Sequence, residues 1–285
     1  LNLKGFVIKA IVIQENGGPE LLQLQEVPTP TILDGDLLIR TQSIGVNFID
    51  CYQREGVYPV ALPFIPGREG VGVVEAIGSG VDDIAVGDVV AWPFADGGYA
   101  EYVRVPAQRV VKVPAGIAAD DACALMLQGM TAHYLVNSTY AVQSGDVILV
   151  HAAAGGVGQL LTRLAKLKGA TVIGTVSSDA KAQIATDAGV DHIIRYDKED
   201  VANRVREIAP GGVHVVYDGV GKTTLLRALL ELCANERVLV LEDVSELAVG
   251  NQSFISLQTR QANVEGRGEI GLDRLVRESL RMRPD

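Results

Sequence analysis

Cysteine is scarce in this chain. Cys51, Cys123 and Cys233 are its only three in 285 residues, and they lie far apart. An odd, dispersed set excludes a disulfide framework as the source of stability and points to buried thiols in a cytoplasmic setting. Histidine is nearly as sparse: His133, His151, His192 and His214 are dispersed, with no Cys-x-x-Cys and no close histidine pair. A structural or catalytic zinc site needs such clustering, so no metal site is expected. Runs of basic residues are missing too. The formal net charge is −10, which makes nucleic acid and anionic membrane surfaces poor partners. Long apolar runs are also lacking. Lys4 and Lys9 break the apolar stretch near the start, no signal-peptide pattern accompanies it, and no window approaches a membrane span.

What the chain does have is length for two domains and two contrasting patterns along it. Up to about residue 115 it is built of short β-like runs: FVIKAIVI, DLLIRTQSIGV, GVGVVEAIG, DVVAW, AEYVRV and RVVKV. Gly17-Gly18-Pro19, Pro28, Pro30, Pro66-Gly67, Gly87-Asp88 and Gly97-Gly98 punctuate them, as in an all-β, barrel-like domain. Near Asp120 the pattern changes. DACALMLQGMTAHYLVN is apolar at helical spacing, and strand-like and helix-like segments then alternate. VILVHA, TVIGTV, HIIRY and VHVVYDG read as strands; VGQLLTRLAKLKG, SSDAKAQIATDAG and DKEDVANRVREIAP read as helices. That alternation predicts an α/β fold, a parallel sheet with helices on both faces. KTTLLRALLELCAN and RVLVLED then read as a further helix and strand, and LDRLVRESLRM as a closing helix.

The sharpest local signal is VILVHAAAGGVGQLLTRLAK. Ala153, Gly155 and Gly158 stand at the spacing of G-x-G-x-x-G, with Gly156 and Val157 between the last two. Small residues there let a pyrophosphate approach the N-terminus of the following helix, where free N–H groups and the helix dipole bind it. The position between a strand and a helix is the context that makes the motif a dinucleotide loop rather than a turn serving packing alone. The next strand ends at Ser177 and Ser178, with Lys181 one turn into the helix. Two hydroxyls and an ammonium suit a 2′-phosphate and favour NADPH over NADH. Asp179 is the competing signal, although an acidic residue also suits the first turn of a helix. His151, at the end of the first of these strands, reads as a core histidine sooner than a catalytic one.

Several segments resemble the zeta-crystallin-type quinone oxidoreductases of the medium-chain dehydrogenase/reductase superfamily. They are KAIVIQENGGPELLQLQEVPTP, GVNFIDCYQREGVYP, PFIPGREGVGVVEAIGSGV, GDVVA, LQGMTAHYL, HAAAGGVGQLLTRLAKLKGATVIGTVSS and VVYDGVG, spread over about residues 8–221. The resemblance implies a GroES-like β domain over 1–120 and an incomplete Rossmann NADPH-binding domain, a doubly wound parallel sheet, over 121–221. NADPH and substrate would meet in the cleft between them. The reaction implied is hydride transfer from NADPH to a quinone or enone. Asn47, Tyr52 and Thr131 would line the cofactor and substrate cleft, with Asn47 and Tyr52 the candidates nearest the chemistry and no obligatory catalytic acid apparent. Lys181 and Tyr196 would hold the 2′-phosphate. Zinc-dependent relatives use a Cys near position 47 and a His near position 68; this chain has Asn47 and Arg68 and lacks the cysteine-rich lobe, which favours the zinc-free branch. Expected partners are therefore the small-molecule substrate and a second copy of the chain in a homodimer.

Past Gly221 that pattern stops. Residues 222–285 resemble a fragment of a type II/IV secretion-system ATPase: GKTTLLRALL is similar to its Walker A helix, VLEDVSEL to its acidic box and LVRESLRMRPD to the helix before Walker B. The loop itself is a poor P-loop. With Lys222 and Thr223 fixed, the first glycine of G-x-x-x-x-G-K-[ST] falls on Val216, and no Walker B strand follows. Both families could supply GVGKTT, so the junction reads as a fused or misassembled reading frame. Three functions follow: a quinone reductase impaired by its C-terminal replacement, a secretion-ATPase fragment, or a dinucleotide-binding module without turnover. In the foreign segment, Val238–Leu241 are expected to extend the Rossmann sheet beside Val213–Tyr217. That would bring Glu242 and Asp243 toward the cofactor and weaken its binding.

Overall fold

The computed structural model describes residues 6–219, 238–242 and 254–258. The helix expected over about 222–233, the Lys222–Thr223 loop, the acidic box with Asp243, and the closing helix lie outside the described residues. The chain divides into two units, Leu1–Thr131 and Ala132–Asp285.

In the first unit the short alternating runs become antiparallel strands. β1 (Val7–Val12) pairs with β2 (Gln23–Pro28). β3 (Asp36–Ile44), β4 (Glu69–Ile77), β5 (Val89–Pro93), β6 (Tyr102–Pro106) and β7 (Val111–Lys112) form a five-stranded sheet in the order β6-β3-β4-β5-β7. Side chains two apart on a strand share a face, so Leu37 and Ile39 of β3, Val90 and Trp92 of β5, and Val103 and Val105 of β6 meet in one core. Each such fully buried side chain stabilises the fold by about 1.5–3 kcal/mol. Trp92 is fully buried and faces Gly70 across the β4–β5 ladder. A Cβ at Gly70 would lie 2.4 Å from the indole ring, which explains a glycine inside a strand. Helix α1 (Phe48–Glu55) starts after Asn47 and ends at Gly56, whose φ of 79° is the left-handed cap that glycine adopts freely.

The segment expected as one regular helix is instead composite. α2 (Ala119–Ala124) and α3 (Met130–Tyr134) are separated by a π-turn at Leu125–Gly129, and a second π-turn covers Leu135–Thr139. A physical reason is visible at the first: the Leu127 N–H donates out of the helix, to Glu69 Oε2 at 2.6 Å.

The second unit has the predicted parallel sheet. β8 (Val147–Val150), β9 (Thr171–Val176), β10 (His192–Arg195) and β11 (Val215–Tyr217) lie in the order β10-β9-β8-β11. Between them run α4 (Gly156–Leu167), α5 (Asp179–Asp187) and α6 (Val201–Ile208). The two faces of the sheet are read from alternate residues. Ile148, Val150, Val172 and Val176 pack with Leu161 and Ala165 of α4 and Ala185 of α5. Leu149, Ile173 and Ile194 point the other way, onto Val205 of α6. Helices on both faces explain why these strands are continuously apolar.

One expectation fails. β12 (Val238–Glu242) is a strand, but it pairs in parallel with β13 (Phe254–Gln258) in a two-stranded sheet of its own, not with β11. An apolar β-branched run states that a strand forms and not which edge it joins; FISLQ, in register from Phe254, supplied the partner. The account of weakened cofactor binding through Glu242 loses its basis with that pairing.

Candidate functional site

In the second unit, the order β10-β9-β8-β11 reverses direction at β8. Ligands of open parallel sheets bind outside the carboxyl ends of strands at such a switch point. The predicted loop occupies that place. The chain leaves β8 through His151, turns at Ala152 with φ 48°, and enters α4 with Gly155 as N-cap. A left-handed alanine carries about 1 kcal/mol of strain or more, and the loop is held by bonds on both sides. His151 N–H donates to Tyr217 O at 2.8 Å, and Ala153 N–H to Thr175 O at 3.1 Å. Gly158 fits only because it has no side chain: a Cβ there would lie 2.5 Å from Ala152 O and 2.9 Å from Ala153 Cα. Gly155 is less confined, with Ala152 O at 3.2 Å. The first turn of α4 leaves the N–H groups of Gly156, Val157 and Gly158 without intrahelical partners, and the glycine N-cap offers no side chain to cap them.

The other predicted residues of this unit follow the next two strands. Ser178 caps α5, its Oγ accepting from Lys181 N at 3.2 Å, and Lys181 Nζ donates to Ser177 Oγ at 3.2 Å. Tyr196 follows β10; its N–H donates to Val176 O at 3.2 Å and its ring stands edge-on to His151 at 6.1 Å. So Ala153, Gly155, Gly156, Val157 and Gly158, then Ser177, Ser178 and Lys181, then Tyr196, lie at the carboxyl ends of three adjacent strands. His151 is buried and its ring meets Thr175 Oγ1. Burial holds its pKa below the ordinary histidine value, although Asp218 nearby opposes the shift. A neutral ring wedged beneath the loop agrees with a core histidine. Asp179 is engaged at the start of α5: Arg195 donates to it, and Lys198 Nζ lies 3.7 Å from its other oxygen.

In the first unit, Asn47 and Thr131 belong to one polar neighbourhood that sequence reasoning did not find. Its centre is Glu69, only 1% exposed. Glu69 Oε1 accepts from Asn47 Nδ2 at 2.7 Å and Oε2 from the Leu127 N–H. Gln128 Nε2 donates to Asn47 Oδ1 at 3.3 Å, and Thr131 Oγ1 to Leu127 O at 2.7 Å. Asp50 Oδ2 accepts from the Asn47 N–H at 2.9 Å and from the Tyr99 hydroxyl at 2.7 Å. Burial, then the bond to Asp50, pushes the Tyr99 phenol up in pKa. Burial, then Glu69, pushes the Cys123 thiol up to about 11, so it is no nucleophile at neutral pH. Tyr52 packs edge-on between Phe48 and Tyr58, with centroids at 5.3 and 5.4 Å. Arg68 pairs with Asp96 at 3.1 Å and lies over the Phe94 ring. The one sequence signal for Glu69 was a carboxyl group opening the otherwise apolar run GVGVV.

Comparison with known proteins agrees with both halves. The family of alcohol dehydrogenase GroES-like domains matches residues 33–115, that of zinc-binding dehydrogenases residues 156–246, and that of type II/IV secretion system proteins residues 217–285. The last two overlap over 217–246, across the GVGKTT string. A 2-haloacrylate reductase of a Burkholderia species is 42% identical over 231 residues, which are 78% of this chain and 69% of that protein. Quinone oxidoreductase 1 of Escherichia coli is 40% identical over 222 residues, 77% of this chain and 68% of that one. The solved structure of an Escherichia coli quinone oxidoreductase complexed with NADPH superposes with a TM-score of 0.77 at 34% identity, covering 96% of this chain and 86% of that one. This chain thus spans about two thirds of the length of its curated relatives. At that identity and coverage, it belongs to the zeta-crystallin-type quinone oxidoreductases of the medium-chain dehydrogenase/reductase superfamily.

Proposed function

We propose that this chain binds NADPH along the carboxyl ends of β8, β9 and β10 and reduces a quinone or a similarly electron-poor conjugated carbonyl. The observation that carries the reading is the loop at the switch point, where Gly158 packs too closely on Ala152 and Ala153 to admit a side chain. Relatives named for quinone and 2-haloacrylate reduction, one of them solved with NADPH, support it. The residues present fit the cofactor. Uncapped N–H groups of Gly156, Val157 and Gly158 would take the pyrophosphate. Lys181, Ser177, Ser178 and Tyr196 would take the 2′-phosphate. When bound, NADPH supplies the hydride; the protein supplies position and a donor for the developing oxyanion. Asn47, held by Glu69 and Gln128, and Tyr52 are the candidates for that donor.

Zinc independence is part of the proposal. Asn47 is tied into the Glu69 network and Arg68 into an ion pair with Asp96, so neither position offers a metal ligand. The free thiols of Cys51 and Cys123 suit a reducing, cytoplasmic compartment.

Titration of NADPH fluorescence followed by steady-state reduction of a simple quinone tests the reading, with a chelator leaving both unchanged. Lys181→Ala should weaken NADPH more than NADH, by about 0.5–1 kcal/mol for a charge pair at an exposed position. Equal losses for the two cofactors would remove the 2′-phosphate assignment. Binding without turnover would leave a dinucleotide-binding module.

A further inference from the structure

We infer that Arg195 strengthens the preference for NADPH by occupying Asp179; the inference rests on the NADPH reading above. In NAD sites an acidic residue near the end of the second strand accepts from the ribose 2′-hydroxyl. Asp179 lies close to that place, three residues beyond the end of β9 as the first residue of α5, and its side chain is 86% exposed. Left alone, it would repel a 2′-phosphate and offer NADH an acceptor.

It is not left alone. Arg195, the last residue of β10, is anchored first to Asp197. Its Nε and Nη2 reach Asp197 Oδ1 and Oδ2 at 2.8 Å each, a fork-on-fork pair that fixes the guanidinium plane. Its backbone N–H donates to Glu199 Oε2 at 2.8 Å, and its side chain is only 13% exposed. The remaining terminal nitrogen, Nη1, then donates to Asp179 Oδ1. Lys198 approaches the second oxygen at 3.7 Å. A lysine in place of Arg195 could not hold two carboxyl groups in this way, because it has no planar fork. Glu199 is itself partnered by Arg204, with Nε 3.5 Å from Oε1. Around the strand ends, Arg195 and Lys198 thus cover Asp179, while Lys181 lies on Ser177 beside it, where the 2′-phosphate is proposed to sit. Arg195 favours NADPH twice: it cancels the repulsion, and it takes away the acceptor that NADH would use.

Dissociation constants of NADPH and NADH, measured by fluorescence on the full chain, test this. Arg195→Gln should weaken NADPH about two- to fivefold, the range of a partly screened charge pair, and leave NADH unchanged or tighter. Adding Asp179→Asn to that variant should restore most of the NADPH affinity, because the unmasked carboxylate is then gone. Asp179→Asn by itself should change NADPH less than about twofold, since the acid is already masked. Should Arg195→Gln not fold, Lys198→Gln removes the other cation from an exposed position and should move the NADPH-to-NADH ratio in the same direction. An equal loss for both cofactors, no rescue by Asp179→Asn, or an unmoved ratio in Lys198→Gln would overturn the inference and leave the NADPH reading standing. Failure of the unaltered chain to bind NADPH would overturn both.

Discussion

Glu69 shows how much a single buried side chain can organise. It satisfies two donors, the Asn47 amide and the Leu127 N–H, from parts of the chain 22 and 58 residues away. Glu69→Ala strands both donors in a dry interior, at a cost of about 1–3 kcal/mol each. Urea denaturation should show a loss of about 2–4 kcal/mol, allowing for partial relaxation. Glu69→Gln should fall between, because an amide offers one acceptor oxygen for two N–H groups. An alanine variant within about 0.5 kcal/mol of the parent would mean that the network is incidental. His151 carries the second prediction at this scale. Its folded pKa lies below its unfolded value, so the unfolded chain binds the proton more readily. Stability is fully present above the unfolded pKa, about 6.5, and falls as pH drops from there through the folded pKa. His151→Asn keeps a polar atom near Thr175 without a titrating ring. Its melting temperature should decline less between pH 7 and 5 than that of the parent; parallel declines would place the titration elsewhere.

At the scale of elements, the loop between β8 and α4 is governed by the glycines on its inner side. Gly158→Ala must displace backbone, since its Cβ would meet Ala152 O at 2.5 Å, and should cost about 1–3 kcal/mol along with most NADPH binding. Gly155→Ala meets the same oxygen at 3.2 Å and should be tolerated better. Similar effects at the two positions, in melting and titration, would show that close packing does not shape the loop. This loop was legible in the sequence because all its determinants are local: a short apolar strand, small residues at fixed spacing, an amphipathic helix. The strands β3 to β6 and β8 to β11 were legible for the same reason. Helix α1 was not, because GVNFIDCYQREG is short and its start depends on an Asn and Asp pair that also suits a turn. The π-turn after α2 was hidden because the acceptor of its Leu127 N–H, Glu69, lies on a strand far back in the chain. The partner of β12 was hidden because strand pairing is chosen by edges, and propensity says nothing about edges. Arg195 and Asp179 were each visible as residues; that they touch follows only from β9 and β10 lying side by side.

At the scale of the whole molecule, charge and function pull in opposite directions. A chain with net charge −10 repels an anionic cofactor at long range. Attraction must come from the few cations at the strand ends and from helix-terminal N–H groups, within the roughly 8 Å screening length at physiological salt. The ratio of NADPH to NADH affinity should therefore fall as salt is raised. A ratio independent of salt would show that hydroxyls and shape, not Lys181 and its neighbours, make the distinction. The fold also contains its own optical label. The chain has one tryptophan, Trp92, fully enclosed in the β core of the first unit. Fluorescence excited at the red edge of indole absorption therefore reports on that half alone, while far-ultraviolet dichroism is weighted toward the helices of the other half. Followed together through one denaturant titration, the two signals show whether the halves melt as one cooperative body or in succession. Glu69→Ala should move the indole transition, and Gly158→Ala should move the dichroic one.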